Sequence, residues 1–201
     1  MAKRELTLNR SIGYSLAVLG ITGFIAALTL AIEKIELISN PSYTPSCNFS
    51  PLLSCGSVMN TPQAEVFGFP NPLIGIAGFA IITTIGMAIL SGAKFKRWFW
   101  LGLQAGTVFG VSFISWLYYQ SVFNIGALCP YCMVVWSVTI PIFWYTTLYN
   151  ISEGHIRLKG AAARAGDFMR RHHGDILFIW FAAGLSIILL RFWYYWSTLL
   201  S

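Results

Sequence analysis

Long uncharged apolar runs alternate along the chain with short clusters of charge. Ser11 to Ile32 carries no charged residue, nor does Pro72 to Ala93. Trp98 to Ser152 is uncharged throughout, too long for one membrane crossing, and is interrupted by Gln120, Ser121, Asn124 and Gly126. A last run, Ile176 to Leu190, continues past Arg191 into Phe192-Trp193-Tyr194-Tyr195-Trp196. About 20 apolar residues cross the hydrocarbon core as a helix, whose backbone satisfies its own hydrogen bonds there. The pattern therefore predicts five spanning helices, over about 11–32, 72–93, 98–121, 129–149 and 176–201, the third and fourth forming a tight hairpin. Arg191 can snorkel beside the interfacial aromatic cluster. The first run lacks the short apolar core and small-residue cleavage site of a signal peptide, so it is read as a retained anchor.

Composition supports an all-α integral membrane protein: 56% of the residues are hydrophobic and 10% charged, against about a quarter charged in soluble domains. With 16% aromatics and no low-complexity tract, little of the chain can be disordered. The net charge of +6 does not point to nucleic acid, because the cations lie in clusters between apolar runs. Lys3, Arg4 and Arg10 precede the first helix, Lys94, Lys96 and Arg97 follow the second, and Arg157, Lys159, Arg164, Arg170 and Arg171 follow the fourth. Short cytoplasmic segments are enriched in Lys and Arg, so these mark the cytoplasmic side, with the amino end inside. The opposite side receives an outer loop, 33–71, with Glu33, Lys34, Glu36 and Glu65, and the turn near Asn124. The expected organisation is a four-helix transmembrane domain (1–152), a basic cytoplasmic loop (153–175) with His172 and His173 solvated in it, and a fifth transmembrane helix (176–201).

All four cysteines then fall on the outer, oxidising side, where disulfide chemistry is permitted. Cys129-Pro130-Tyr131-Cys132 opens the fourth helix. Proline suits the first helical position, and the free N–H groups and dipole of a helix start favour a thiolate. The three-residue offset puts both sulfurs on one face, the second a turn deeper toward the bundle. Cys47 and Cys55, with seven residues between them, have neither zinc-site nor CxxC spacing, so no metal is expected. They suit a mobile shuttle pair, although for these two alone a plain structural staple is the favoured reading. For Cys129 and Cys132 that reading is weaker, since a bridge across one helical turn constrains little. Gly102, Gly106 and Gly110 recur every four residues and are read as packing positions that admit a neighbouring backbone. Trp116, Tyr118 and Tyr119 are read as an interfacial belt, one of them able to line a pocket.

The ordered set of Cys47 and Cys55, then Phe67-Gly68-Phe69-Pro70-Asn71-Pro72-Leu73-Ile74-Gly75, then Cys129-Pro130-Tyr131-Cys132 resembles bacterial members of the vitamin K epoxide reductase family over roughly residues 10 to 150. The resemblance implies a four-helix bundle around a quinone, capped by an outer loop with the shuttle pair, and here followed by a fifth helix. It implies that Cys132 reduces the quinone, that Cys129 exchanges with Cys55, and that Cys47 takes electrons from a substrate protein. Asn71 matches the family asparagine that donates to a quinone carbonyl; as a residue between two prolines it is equally a good turn residue. Trp136 stands where the animal enzymes have a quinone-holding tyrosine, so the phenol oxygen is missing. Lacking a fused thioredoxin-like domain, the chain is expected to work in trans with a DsbA-like or other thioredoxin-fold oxidase, in the bacterial cytoplasmic membrane. Menaquinone is the favoured acceptor, from the likeness to actinobacterial members, with ubiquinone served by the same residues. No His or carboxylate adjoins the CxxC, which leaves Glu65 or water for proton delivery. Competing readings are an animal-type vitamin K epoxide or quinone reductase, a DsbB-type enzyme (whose cysteine pairs come in the reverse order), an outward electron carrier, and a scaffold with two structural disulfides.

Overall fold

A computed structural model describes residues 2–40 and 42–200, and for 2–9 and 198–200 the backbone alone; the side chains of Lys3 and Arg4, and Ser201 of the expected last helix, lie outside the described residues. The helices are α1 (Ala2–Ser39), α2 (Cys55–Met59), α3 (Pro72–Leu90), α4 (Arg97–Tyr119), α5 (Pro130–Ser152), α6 (Ala161–Arg171), α7 (His173–Arg191) and α8 (Trp193–Leu200). A 3-10 turn covers Pro62–Glu65, and a π-helical segment, Gln120–Ile125, prolongs α4. The one β feature among the described residues is a parallel bridge between Leu53 and Leu128. Five helical stretches are long and apolar enough to cross a membrane: Arg10–Ser39, Pro72–Leu90, Arg97–Ile125, Pro130–Ser152 and His173–Arg191. The protein is thus an all-helical multi-pass membrane protein.

Within the bundle α1 packs along α3 and α5, and α4 along α5. Small residues bring α1 and α3 together: a Cβ on Gly86 would stand 2.4 Å from the backbone nitrogen of Ala17, and one on Gly20 would stand 2.9 Å from that of Thr83. Such close approach is how helices associate where lipid removes the hydrophobic drive. Leu16, Phe79, Ile82, Trp100, Ile142 and Tyr149 fill the seam with the core of the bundle. By contrast α3 and α4, though consecutive and joined through the turn at Gly92 (φ 93°), share no extended contact. They part like the sides of a wedge.

At one end of the bundle a polar cluster ties α4 to α5. The buried amide of Asn150 donates to Gln104 Oε1 at 3.0 Å and to the Trp100 carbonyl at 3.3 Å, and His155 Nδ1 lies 3.1 Å from its oxygen. Arg97 Nε donates to the His155 carbonyl at 2.9 Å. Buried polar groups need such partners, the more so where no water competes.

Three expected boundaries are corrected. The outer segment begins seven residues later than the predicted loop at 33, because α1 runs on to Ser39. Its Glu33 and Lys34 are 6% and 8% exposed and have polar partners in the cap above them, so charge did not end the helix. The predicted basic loop 153–175 contains α6, whose alanine-rich start propagates a helix and whose Arg170 and Arg171 sit favourably at its carboxyl end. The predicted single helix 176–201 begins at His173 and breaks at Phe192, where the run of large aromatics, weaker helix formers, starts α8. Smaller differences are an earlier end of α3, at Leu90, and a later end of α5, at Ser152. His172 and His173 are exposed as expected, and His172 Nδ1 lies 3.1 Å from Asp175.

Candidate functional site

The end of α1 organises the cap. Glu33 accepts hydrogen bonds from Tyr43 Oη at 3.0 Å, Ser46 N at 3.2 Å and Ser46 Oγ at 2.5 Å, which fixes the segment before Cys47. Lys34 Nζ donates to the Met59 carbonyl at 2.8 Å and pairs with Glu65 at 2.9 Å, which fixes the segment after Cys55. Adjacent residues on one helix thus hold both flanks of the disulfide pair.

A second set of bonds sets the register between cap and bundle. Leu128 N donates to the Leu52 carbonyl at 2.8 Å and Ser54 N to the Leu128 carbonyl at 3.0 Å. Ser54 also caps α2, its Oγ accepting from Ser57 N at 3.1 Å, and Asn48 Oδ1 accepts from Ser54 Oγ and Gly56 N. The parallel bridge of Leu53 with Leu128 brings Cys55, two residues beyond Leu53, alongside Cys129, the residue after Leu128. The two sulfurs are 3.0 Å apart.

Cys55 is disulfide-bonded to Cys47, with 5.6 Å between the Cα atoms, while Cys129 and Cys132 are free thiols. The pair expected to be a mobile shuttle is buried: Cys47 is 1% exposed and Cys55 not at all, packed with Leu30, Met59 and Cys129. The cap that covers them is held by the bonds of Glu33, Lys34 and Ser54. Cys129 is the N-cap of α5, its sulfur accepting from Cys132 N at 3.5 Å. The hydrogen bond from the Cys132 thiol, aided by those from the Cys132 and Tyr131 amides, holds the Cys129 thiol below the ordinary range against the opposing effect of burial. Peptide-resolved alkylation of Cys129 should therefore reach its plateau at lower pH than for a free cysteine. Cys132→Ala removes the chief donor and should move that midpoint upward, whereas Cys132→Ser, which keeps a donor, should move it less.

Below the sulfurs, the wedge between α3 and α4 holds a cavity of about 530 Å³ that Cys129 and Cys132 border. Asn71 and Trp136 line the same cavity, so the six residues singled out from the sequence gather round one place except for Cys47 and Cys55, which sit just above it. Asn71 Nδ2 donates to the Gln63 carbonyl at 2.7 Å, and its Oδ1 accepts from Val66 N at 3.2 Å. Its amide is thereby fixed by the turn it caps and keeps one N–H for a ligand. Trp136, one helical turn beyond Cys132, is buried and offers its ring.

The glycines of α4 differ from expectation. A Cβ on Gly102 or Gly106 would meet nothing within 4 Å, and one on Gly110 only the Thr139 methyl at 3.5 Å. No neighbouring backbone approaches them; all three line the cavity, as does Gly78 across the wedge. Their missing side chains leave the space beside α4 open to the cavity instead of filling it with a neighbouring helix. A flat aromatic acceptor with an apolar tail, such as a quinone, fits this lining: apolar walls, one fixed amide N–H, an indole face and a thiol at the top.

Sequence reasoning missed two residues. Lys34, read as a loop charge, is the cation bordering the cavity among the described residues. None of Trp116, Tyr118 and Tyr119 lines the cavity. Tyr118 packs edge-on against Trp136, with centroids 5.1 Å apart, and donates to the Gly184 carbonyl of α7 at 2.6 Å. The fifth helix thus reaches the cavity wall, through this hydrogen bond and through Leu177 and Ile188, which share a cluster with Trp136. Tyr118→Phe should cost about 1 kcal/mol of stability, seen as a lower melting temperature, and raise the KM for a cavity ligand a few-fold; an unchanged KM would make the contact purely structural.

The family model described as "Vitamin K epoxide reductase family" matches residues 14–147, about two thirds of the chain. No curated protein matches it.

Proposed function

The chain belongs to the vitamin K epoxide reductase family, whose members are membrane oxidoreductases acting on disulfides and quinones, and on that basis we propose that it reoxidises a thioredoxin-fold, DsbA-like partner at the expense of a quinone. The observation that carries the reading is the 3.0 Å separation of Cys55 and Cys129 above a cavity bordered by Cys132. Thiolate exchange needs only such contact between sulfurs.

The cycle begins with a partner thiolate attacking Cys47 and breaking its bond to Cys55; the partner's second thiol resolves the mixed disulfide, leaving the partner oxidised and both cap cysteines as thiols. Cys55 then attacks Cys129 of a Cys129–Cys132 disulfide, releasing Cys132 as thiolate, and Cys47 attacks Cys55 to release Cys129. The products, a Cys47–Cys55 disulfide and two thiols on α5, are the pairing found here. A bound quinone supplies the acceptor for two electrons and two protons. Cys132 holds the transferable electron pair at the cavity, and Cys129 closes the disulfide behind it. Asn71 orients through its remaining N–H, and Trp136 provides a flat wall. Lys34 Nζ keeps a proton at the cavity rim, and Glu65, whose side chain is 40% exposed, connects it to water. Apolar walls exclude stray thiols.

Because Cys47 is covered, the partner must lift the segment that Glu33 holds at Tyr43 and Ser46. All four cysteines lie at the end opposite the basic segments, which supports an outer placement for them and a cytoplasmic amino end in a bacterial inner membrane. Menaquinone is the proposed acceptor. Trp136 carries no phenol oxygen, which favours quinone over epoxide as the substrate.

The test uses the protein purified with its lipids, a reduced thioredoxin-fold oxidase and a short-chain quinone. One quinone should be consumed for each partner disulfide formed; no change in quinone absorbance while the partner stays reduced would overturn the reading.

A further inference from the structure

The opposite end of the molecule carries a second hollow. It opens between the residues that follow α5 and the side of α6, with a volume of about 420 Å³. Its wall is firmly built. Ile156 N donates to the Asn150 carbonyl at 3.1 Å, and Arg97 holds the carbonyl of neighbouring His155. Gly166, buried on α6, lies so close to the wall that a Cβ there would meet Leu158 Cδ1 at 2.9 Å.

Two kinds of chemistry meet in this groove. Ile151, Ile156 and Leu158 form an apolar part, and Arg157, Lys159 and Arg170 ring it with positive charge. Arg170 is paired with Asp167, the groove's one carboxylate, whereas Arg157 and Lys159 have no acidic partner among the described residues. The groove begins where α5, a spanning helix, ends at Ser152, hence at the depth of lipid headgroups. On α6, Phe168 is 58% exposed and flanked in sequence by Arg164 and Arg171, the arrangement of a helix lying in the membrane interface.

We propose that this groove binds one anionic phospholipid, with its phosphodiester on Arg157 and Lys159 and the start of an acyl chain along Ile151, Ile156 and Leu158. Charge complementarity calls for an anion, and juxtamembrane basic pockets select acidic headgroups. The apolar part distinguishes a lipid from free phosphate, which would leave it uncovered. Two unneutralised cations held in a fixed groove also differ from a diffuse basic surface, which attracts a headgroup layer without retaining one molecule.

Native mass spectrometry of the full chain, released from detergent after adding phosphatidylglycerol or phosphatidylcholine, tests this. The wild type should retain one phosphatidylglycerol at least about tenfold more strongly than phosphatidylcholine, and Arg157→Gln/Lys159→Gln should lose that preference, since each basic side chain contributes on the order of a fivefold change. Each single variant should lose part of it, and the melting transition reports whether the proteins remain folded. Lys94→Gln/Lys96→Gln, which removes the same charge from the same end outside the groove, should keep it. Equal retention of both lipids by the wild type, an equal loss in the Lys94/Lys96 variant, or displacement of the lipid by millimolar inorganic phosphate would overturn the proposal.

Discussion

Cys132→Ala should abolish quinone reduction, lowering turnover by about three orders of magnitude or more, while the Cys47–Cys55 disulfide still forms. In the proposed relay Cys132 hands electrons to the cavity; Cys129, the other thiol that borders it, is the one that exchanges with Cys55, and Asn71, Lys34 and Trp136 can orient or protonate a ligand but cannot reduce one. Loss of a nucleophile in a concerted unit removes nearly all of its rate. Cys47→Ala should behave differently. The partner would lose its point of entry, so turnover with a thioredoxin-fold oxidase should collapse, yet a small dithiol able to reach Cys132 through the cavity should still drive quinone reduction. Quinone absorbance followed for both variants with both reductants gives four rates. Equal rates in wild type and both variants would mean that the cysteines are staples and that the cavity serves another purpose.

Gly106→Leu should separate binding from exchange. A leucine at this position projects into open cavity, because nothing stands within 4 Å of the Cβ position. It should raise the KM for quinone about tenfold or more, by filling space that the ligand needs, and leave thiol exchange between Cys55 and Cys129 at its wild-type rate. Stability should hold or rise slightly, since glycine costs about 1 kcal/mol in a helix interior relative to better helix formers. Had these glycines served helix packing, the same substitution would force two backbones apart, as Gly86→Leu on α3 is expected to do against Ala17. The melting temperatures of the two variants, read beside the KM values, decide which role each glycine has. A destabilised Gly106→Leu with unchanged KM would reverse the assignment.

The stripe at Gly102, Gly106 and Gly110 illustrates a limit of reading residues in order. Spacing by four places small residues on one helical face, but it does not say whether that face meets a helix or a void. The outcome depends on α3, which α1 draws to itself through Gly20 and Gly86 and so away from α4. Lys34 shows a similar limit. A cation near the end of an apolar run reads as the start of a loop, and only the cap folded over α1 supplies the Met59 carbonyl and Glu65 that let the helix carry it further. Tyr118 fits any aromatic belt until α7 brings the Gly184 carbonyl to its hydroxyl.

By itself the sequence determined the number of spans, the all-helical class, the gathering of basic residues away from the cysteines, and the family, because each is written in local patterns: uncharged runs of membrane length, charge clusters and an ordered set of short motifs. Only the tertiary structure decided which sulfurs touch, what the glycines face, that the Cys47–Cys55 disulfide is covered, and that a fifth helix reaches the cavity wall. Contacts of this kind join residues far apart in the chain, 74 positions in the case of Cys55 and Cys129. They exist only once the Leu52–Ser54 and Leu128 backbones have paired in one register and the bundle has closed beneath them.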